Sequence, residues 1–158
     1  MEKPTHDRAR QSALYLLAKR EHSRGELSQK LKTKKYAPHD IETALTQLAE
    51  SGIQSDQRFA ESFTRSRQNR GQGPVRIIGE LRARGVSEEI IEEVVNIADN
   101  AWFALVRDVW RRNLKGRHPQ TPAERAKQTR FLHYRGFTRD HINSLNKRID
   151  DNDNENTL

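Results

Sequence analysis

Residues 81–91 read Leu81-Arg82-Ala83-Arg84-Gly85-Val86-Ser87-Glu88-Glu89-Ile90-Ile91, and their register recurs on both sides. Leu31, Leu81 and Leu132 are separated by 50 and 51 residues. Four residues after each leucine stands Lys35, Gly85 or Gly136, followed by Tyr36, Val86 or Phe137. Then come Ala37, Ser87 or Thr138, and four residues later Ile41, Ile91 or Ile142. The mechanical reading is a leucine that anchors a middle helix, a turn plugged by an apolar residue, and an isoleucine that closes a third helix. Each unit can bury little surface alone, so neighbouring units should stack.

Working outward, helix signals fill the rest of the chain and strand alternation is almost absent. Ala13, Leu14, Leu16 and Leu17 give a first helix its apolar side. Ser23-Arg24-Gly25-Glu26 has capping-box spacing ahead of Leu27 and Leu31. Pro38 suits the first turn of a helix carrying Ile41, Ala44, Leu45 and Leu48, which Gly52 ends. Ser55-Asp56 opens a helix with Phe59, Ala60 and Phe63, and Gly71-Gln72-Gly73-Pro74 connects it to one with Ile77, Ile78 and Leu81. Ser87 caps a helix whose apolar face is expected to run through Ile90, Ile91, Val94, Val95 and Ile97. Trp102, Leu105, Val106, Val109 and Trp110 share one helical face. Thr121-Pro122-Ala123-Glu124 is a further capping box, and Thr138 caps a last helix with Ile142 and Leu145. The fold class expected is all-α: three tandem three-helix repeats stacked into an elongated, curved, right-handed or solenoid-like array. The repeats occupy residues 1–54, 55–100 and 101–149, and residues 150–158 form an acidic, disordered tail.

Composition agrees with thin helical units. Among 158 residues, 33% are hydrophobic and 32% charged, a poor supply for one thick core. The net charge is +7, and four acids (Asp150, Asp151, Asp153, Glu155) fall in the last nine residues, so the body before them is more basic still. Such a body attracts polyanions, of which nucleic acid is the commonest in cells. The absence of cysteine excludes disulfides and thiolate metal sites. No apolar run approaches the about 20 residues that span a bilayer, and the polar start resembles no signal peptide, so a cytoplasmic protein without membrane contact is expected.

Catalytic signatures are weak. The six histidines are scattered and expected to be solvated, without the spacing of a metal site. Gly71-Gln72-Gly73 lacks the lysine-serine/threonine ending of a phosphate loop, and no serine sits in a nucleophile elbow. Glu88, Glu89, Glu92 and Glu93 suit a solvated helix face better than acid–base chemistry. Neither an enzyme nor a cofactor is expected. The basic clusters are more informative. The first contains Arg58, Arg65, Arg67, Arg70, Arg76, Arg82 and Arg84; the second contains Arg111, Arg112, Lys115, Arg117, Arg125, Lys127 and Arg130. Arginine dominates, and its planar fork grips phosphate or carboxylate through two hydrogen bonds. These fourteen residues are the candidate partner contacts. Phe59 and Phe63, at helical spacing, are core candidates first and base-stacking candidates second.

The segment Leu16-Leu17-Ala18-Lys19-Arg20-Glu21-His22-Ser23-Arg24-Gly25-Glu26-Leu27 resembles the opening motif of the bacterial regulatory RecX family. So does Asp56-Gln57-Arg58-Phe59-Ala60-Glu61-Ser62-Phe63, with Arg67, Gly71 to Pro74, Arg76-Ile77 and Glu80 to Val86 after it. The resemblance covers roughly residues 8–148. It implies an elongated protein of three three-helix repeats that binds the RecA recombinase and its filament on DNA. Family members usually restrain filament growth, ATP hydrolysis, strand exchange and the co-protease activity behind the SOS response, and some bind single- or double-stranded DNA directly. A monomer is expected. The chain departs from the family pattern at Lys35, where a glycine is usual, and in the long basic connector Lys115 to Pro122. From the residues alone, a free-standing helical DNA-binding regulator or architectural protein is the competing reading.

Overall fold

A computed structural model describes residues 5–157, which form nine helices and no strand. The first three are α1 (Thr5–Lys19), α2 (Arg24–Thr33) and α3 (Pro38–Glu50). The next three are α4 (Asp56–Asn69), α5 (Pro74–Ala83) and α6 (Glu88–Val94). The last three are α7 (Asn100–Asn113), α8 (Pro122–Tyr134) and α9 (Arg139–Glu155). The helices start where capping chemistry places them. Ser23 accepts a hydrogen bond from the Glu26 N–H, and the Glu26 carboxylate accepts one from the Ser23 N–H, which completes the box. Thr138 and His141 form the same reciprocal pair at α9. Thr121 caps α8 through the Glu124 N–H, but the Glu124 carboxylate accepts from the Gln120 N–H instead, so only half of that expected box forms.

The chain divides into two compact units, and the division falls inside the second repeat. One unit contains residues 1–63 and 80–94. Its core joins Ala9 and Ala13 of α1, Leu27 and Leu31 of α2, and Ile41, Ala44, Leu45 and Leu48 of α3. The alanines let α1 approach α3 closely, and Leu14, Leu16, Leu17 and Tyr36 pack around them, partly buried. The other unit contains residues 64–79 and 95–158. Its core combines Val106, Val109 and Trp110 of α7, Leu132 of α8, Phe137 of the turn, and Ile142, Leu145 and Ile149 of α9. The three leucines of the repeat register are all buried, as are Ile41, Ile91 and Ile142. Each buried leucine or isoleucine contributes about 1.5–3 kcal/mol relative to exposure.

Within each unit, the start of one middle helix abuts the turn that ends the next repeat's middle helix. In the first unit the Ser23 hydroxyl donates to the Arg84 carbonyl at 2.8 Å. A β-carbon on Gly25 would lie 2.5 Å from that carbonyl oxygen. In the second unit the Gly73 N–H donates to the Arg135 carbonyl at 2.7 Å and the Val75 N–H to the Gly136 carbonyl at 2.9 Å. A β-carbon on Gly73 would come within 2.5 Å of the Gly136 oxygen and the Phe137 nitrogen. Ser23 and Gly73 hold equivalent register positions, as do Arg84 and Arg135, so the two joints are copies. Gly71-Gln72-Gly73 is therefore a backbone joint as well as a helix connector.

The joints also explain the departure at Lys35. Gly85 and Gly136 have φ of 79° and 99°, a left-handed conformation suited to glycine. Lys35 adopts φ 68° at the same position. A β-carbon on Gly136 would collide with the Arg76 backbone nitrogen at 2.7 Å. Lys35 is exposed, so its side chain has room that Gly136 lacks, and it carries the conformational cost itself.

Three sequence expectations need correction. Helix α6 ends at Val94: Val95 just after it is still buried, but Ile97 is 42% exposed and leaves the expected apolar face. Asn96 accepts from the Ala98 N–H and Asp99 caps α7, and these short polar side chains divert the backbone from the helix. Residues 150–155, expected to be unstructured, continue α9 and are tied down by Arg125–Asp150 at 2.6 Å and His118–Asp153 at 2.5 Å. Of the histidines expected in solvent, His22 and His141 are 2% and 1% exposed.

Candidate polyanion interface

The fourteen candidate cations separate by what their side chains already hold. In the first unit all three are engaged. Arg58 donates to Glu21 at 3.0 Å and to the Ile53 carbonyl at 2.9 Å. Arg82 pairs with Glu88 through two nitrogens, which lowers the Glu88 pKa by direct hydrogen bonding. Arg84 donates to the Glu80 carbonyl, approaches Glu26 at 3.9 Å and covers the Phe63 ring with its guanidinium 4.7 Å from the centroid. Arg82 and Arg84 therefore brace the second repeat. Phe59 is 2% exposed and packs 5.5 Å from Phe63, so this aromatic pair belongs to the core.

The second unit contains the other eleven. Arg67 and Arg76 are half-buried, and Arg76 lies over the Tyr134 ring at 5.5 Å. Arg125 pairs with Asp150. Arg112 makes a long bond to the Asp108 carbonyl, 3.4 Å. Arg65, Arg70, Arg111, Lys115, Arg117, Lys127 and Arg130 are exposed, and their side chains have no hydrogen bond or ion pair among the described residues. Such uncommitted cations can neutralise phosphates without first breaking an internal pair. Helix α8 arranges several in a line: Lys127, Arg130 and Tyr134 follow at i, i+3 and i+7 on its solvent face. Tyr134, 77% exposed, presents an aromatic face beside these charges, and Val75 nearby in the same unit is 52% exposed. The sequence reading passed over Tyr134; its position four residues after Arg130 and seven after Lys127 was the available signal.

The connector between α7 and α8 builds a second feature. Lys115 and Gly116 take left-handed conformations, φ 55° and 62°, that fold the chain back over Trp110. The Trp110 indole N–H and the Gln128 amide both donate to the Arg117 carbonyl, 3.3 and 2.8 Å. Beside this connector lies an open cavity of about 640 Å³, lined by Leu114, Phe131 and Gln128 and by the cations Lys115, Arg117 and Lys127.

Chemistry of other kinds finds little support. No group of three or more histidine, aspartate or glutamate side chains among the described residues is arranged to hold a metal. No helix among them is long and apolar enough to cross a membrane. The two buried histidines serve the helices. His141 accepts the Thr138 N–H at Nδ1 and donates from Nε2 to the Ile97 carbonyl at 3.2 Å, which requires the neutral ring. Burial lowers its pKa, as it lowers that of His22, whose Nδ1 donates to the Arg20 carbonyl.

Family models for the first, second and third three-helix domains of RecX match residues 9–48, 55–95 and 101–145, in order. The chain belongs to the RecX family. Regulatory protein RecX of Pseudomonas entomophila is 45% identical over 136 residues, covering 86% of this chain and 88% of that protein. The RecX of Halorhodospira halophila is 44% identical over 144 residues, 91% of this chain and 89% of that one. The crystal structure of RecX from Lactobacillus salivarius superposes with a TM-score of 0.76 at 21% identity, covering 92% of this chain and 97% of that one. That likeness supports the all-α repeat fold. RecX proteins are regulators and not a recognised enzyme family.

Proposed function

We propose that this chain binds the RecA recombinase and its filament on DNA in the cytoplasm, and restrains its recombinase, ATPase and co-protease activities without catalysing a reaction. The observation that carries this reading is the unbroken order of all three RecX domains across a chain that shares 45% identity with a regulatory protein RecX. The uncommitted cations support it physically. Weak contacts made by separate repeats add through multivalency, so a filament offering many equivalent subunits is gripped more tightly than any single one. Arg65, Arg70, Arg111 and Arg130 are the contact residues proposed first, because their charge is free. Arg82, Arg84, Arg58 and Arg125 rank below them, because binding would cost an existing pair. The test is recombinase ATPase on single-stranded DNA against increasing amounts of this protein. A fall at stoichiometric, not catalytic, amounts is expected. An unchanged rate with folded protein refutes the proposal, and salt-sensitive binding to bare DNA alone would favour the free-standing DNA-binding reading.

A further inference from the structure

The acidic end of α9 has no electrostatic reason to stay helical by itself. A helix C-terminus carries negative partial charge, yet Asp150, Asp151, Asp153 and Glu155 occupy its last turns without a basic residue. What offsets this are contacts to the third repeat's basic connector and α8. Asp150 accepts from Arg125 at 2.6 Å, and Asp153 meets His118 Nδ1 at 2.5 Å. His118 is itself a wall of the 640 Å³ cavity, and its ring packs 5.7 Å from Trp110. Asp153 therefore meets a wall residue of a pocket whose other charged linings are Lys115, Arg117 and Lys127, with no hydrogen bond or ion pair at their side chains among the described residues, and Glu124, whose carboxylate accepts from the Gln120 N–H.

We propose that this cavity is a binding site for one unpaired nucleotide of a single strand, and that the acidic end of α9 is a built-in competitor that regulates access to it. The volume lies within the range of small-ligand sites. Leu114 and Phe131 supply an apolar wall for a flat base, and the three free cations supply counter-charge for the flanking phosphates. The strand's phosphate and the Asp153 carboxylate draw on the same rim, so binding of the strand loosens the end of α9 and neutralising that end favours the strand. The inference deepens the polyanion-binding reading above by naming the regulation of one of its surfaces.

The test uses the full chain, without recombinase, and labelled oligothymidylate followed by anisotropy across a salt series. The D150N/D153N variant removes two acids from a helix C-terminus together with the two contacts that hold it, so circular dichroism is recorded first and binding is compared between folded proteins. It should bind the oligomer more tightly by about fivefold, the scale of one contact-distance charge interaction in water. The K115Q/R117Q/K127Q variant should bind weakly, and its salt slope should fall by about 2, since each phosphate contact to a single strand contributes about 0.7. Inorganic polyphosphate and polyglutamate of equal charge should compete poorly, because neither offers a base to the apolar wall. Equal binding by D150N/D153N and the parent overturns the competitor role. An unchanged slope in the triple variant, or competition by polyphosphate or polyglutamate as good as by the oligomer, overturns the nucleotide site. Because no recombinase is present, these failures leave the ATPase test of the RecA reading untouched.

Discussion

Replacing Gly73 with alanine tests the joint between the second and third repeats at its tightest point. The added carbon would sit 2.5 Å from the Gly136 oxygen and the Phe137 nitrogen, both backbone atoms with no flexible side chain to swing away. Overfilling a packed site costs about 1–3 kcal/mol. The Gly73–Arg135 and Val75–Gly136 hydrogen bonds would stretch with it, at about 0.5–1.5 kcal/mol each. The sum is about 2–6 kcal/mol, a large fraction of the stability of a domain this size. Gly79 provides the control in α5, the helix that follows Gly73. It has nothing within 4 Å of a β-carbon and lies exposed in α5, so Gly79→Ala should stabilise by about 0.5–1 kcal/mol. Urea titrations followed by circular dichroism and by tryptophan fluorescence measure both variants. Trp102 and Trp110 lie in α7 of the unit that contains this joint, so fluorescence should report its loss at lower urea than in the parent. A Gly73→Ala protein within about 0.5 kcal/mol of the parent would refute the claim that the repeats meet backbone to backbone.

Lys35→Gly removes an exposed left-handed lysine; a gain of about 0.5–1 kcal/mol in chemical denaturation is expected, and a loss would show that the lysine side chain contributes there. Stability should be level above about pH 6.5 and fall below it. The unfolded chain takes up protons at His22 and His141 near the ordinary histidine value, whereas the folded state, with both pKa values lowered by burial, does so only at lower pH. His141→Gln should flatten part of that dependence in pH-stepped urea titrations. Charge reversal of Arg65, Arg70, Arg111 and Arg130 together should abolish most recombinase inhibition while the helical spectrum stays native; the same treatment of Arg82 alone should cost the Glu88 pair with inhibition largely retained, which an ATPase titration distinguishes.

The repeat was legible because its register is written in residues whose burial has one solution. Leu31, Leu81, Leu132 and the isoleucines ten residues after each could be read as core without knowing what they touch. Caps were legible for the same reason, since Ser23, Thr121 and Thr138 act within three residues of themselves. The candidate site was less so, because an arginine's sequence position carries its charge but not its partner. Arg82 looked as available as Arg65 until Glu88 was found six residues on, across a turn. His141 has the composition of a solvated residue and the position of a capping-box partner, and position decided. The end of α9 was misread because acidic, polar composition argues for disorder only when no cation is near in space.

The two copied joints bear on how such a protein works on a repeating partner. One is made by a serine hydroxyl on a main-chain carbonyl and the other by two main-chain hydrogen bonds, each with a glycine in close approach, and neither uses the exposed cations' side chains. Stability and the proposed partner contacts therefore fall on different atoms of the same helices. Arginines on the solvent faces can change without disturbing the joints. The third repeat shows that freedom: its register at Leu132, Gly136, Phe137 and Ile142 matches the second repeat, while Lys115 to Pro122 inserts a basic connector of its own. If the separation holds, replacing only the exposed side chains of Lys115 and Arg117 by glutamine, which leaves the Arg117 carbonyl to accept from Trp110 and Gln128, should leave the unfolding free energy within about 1 kcal/mol of the parent, since surface changes away from packed features cost little. It should nonetheless weaken binding to the nucleoprotein filament. A K115Q/R117Q protein that is unstable, or one that is stable and binds as tightly as before, would each break the argument at a different step.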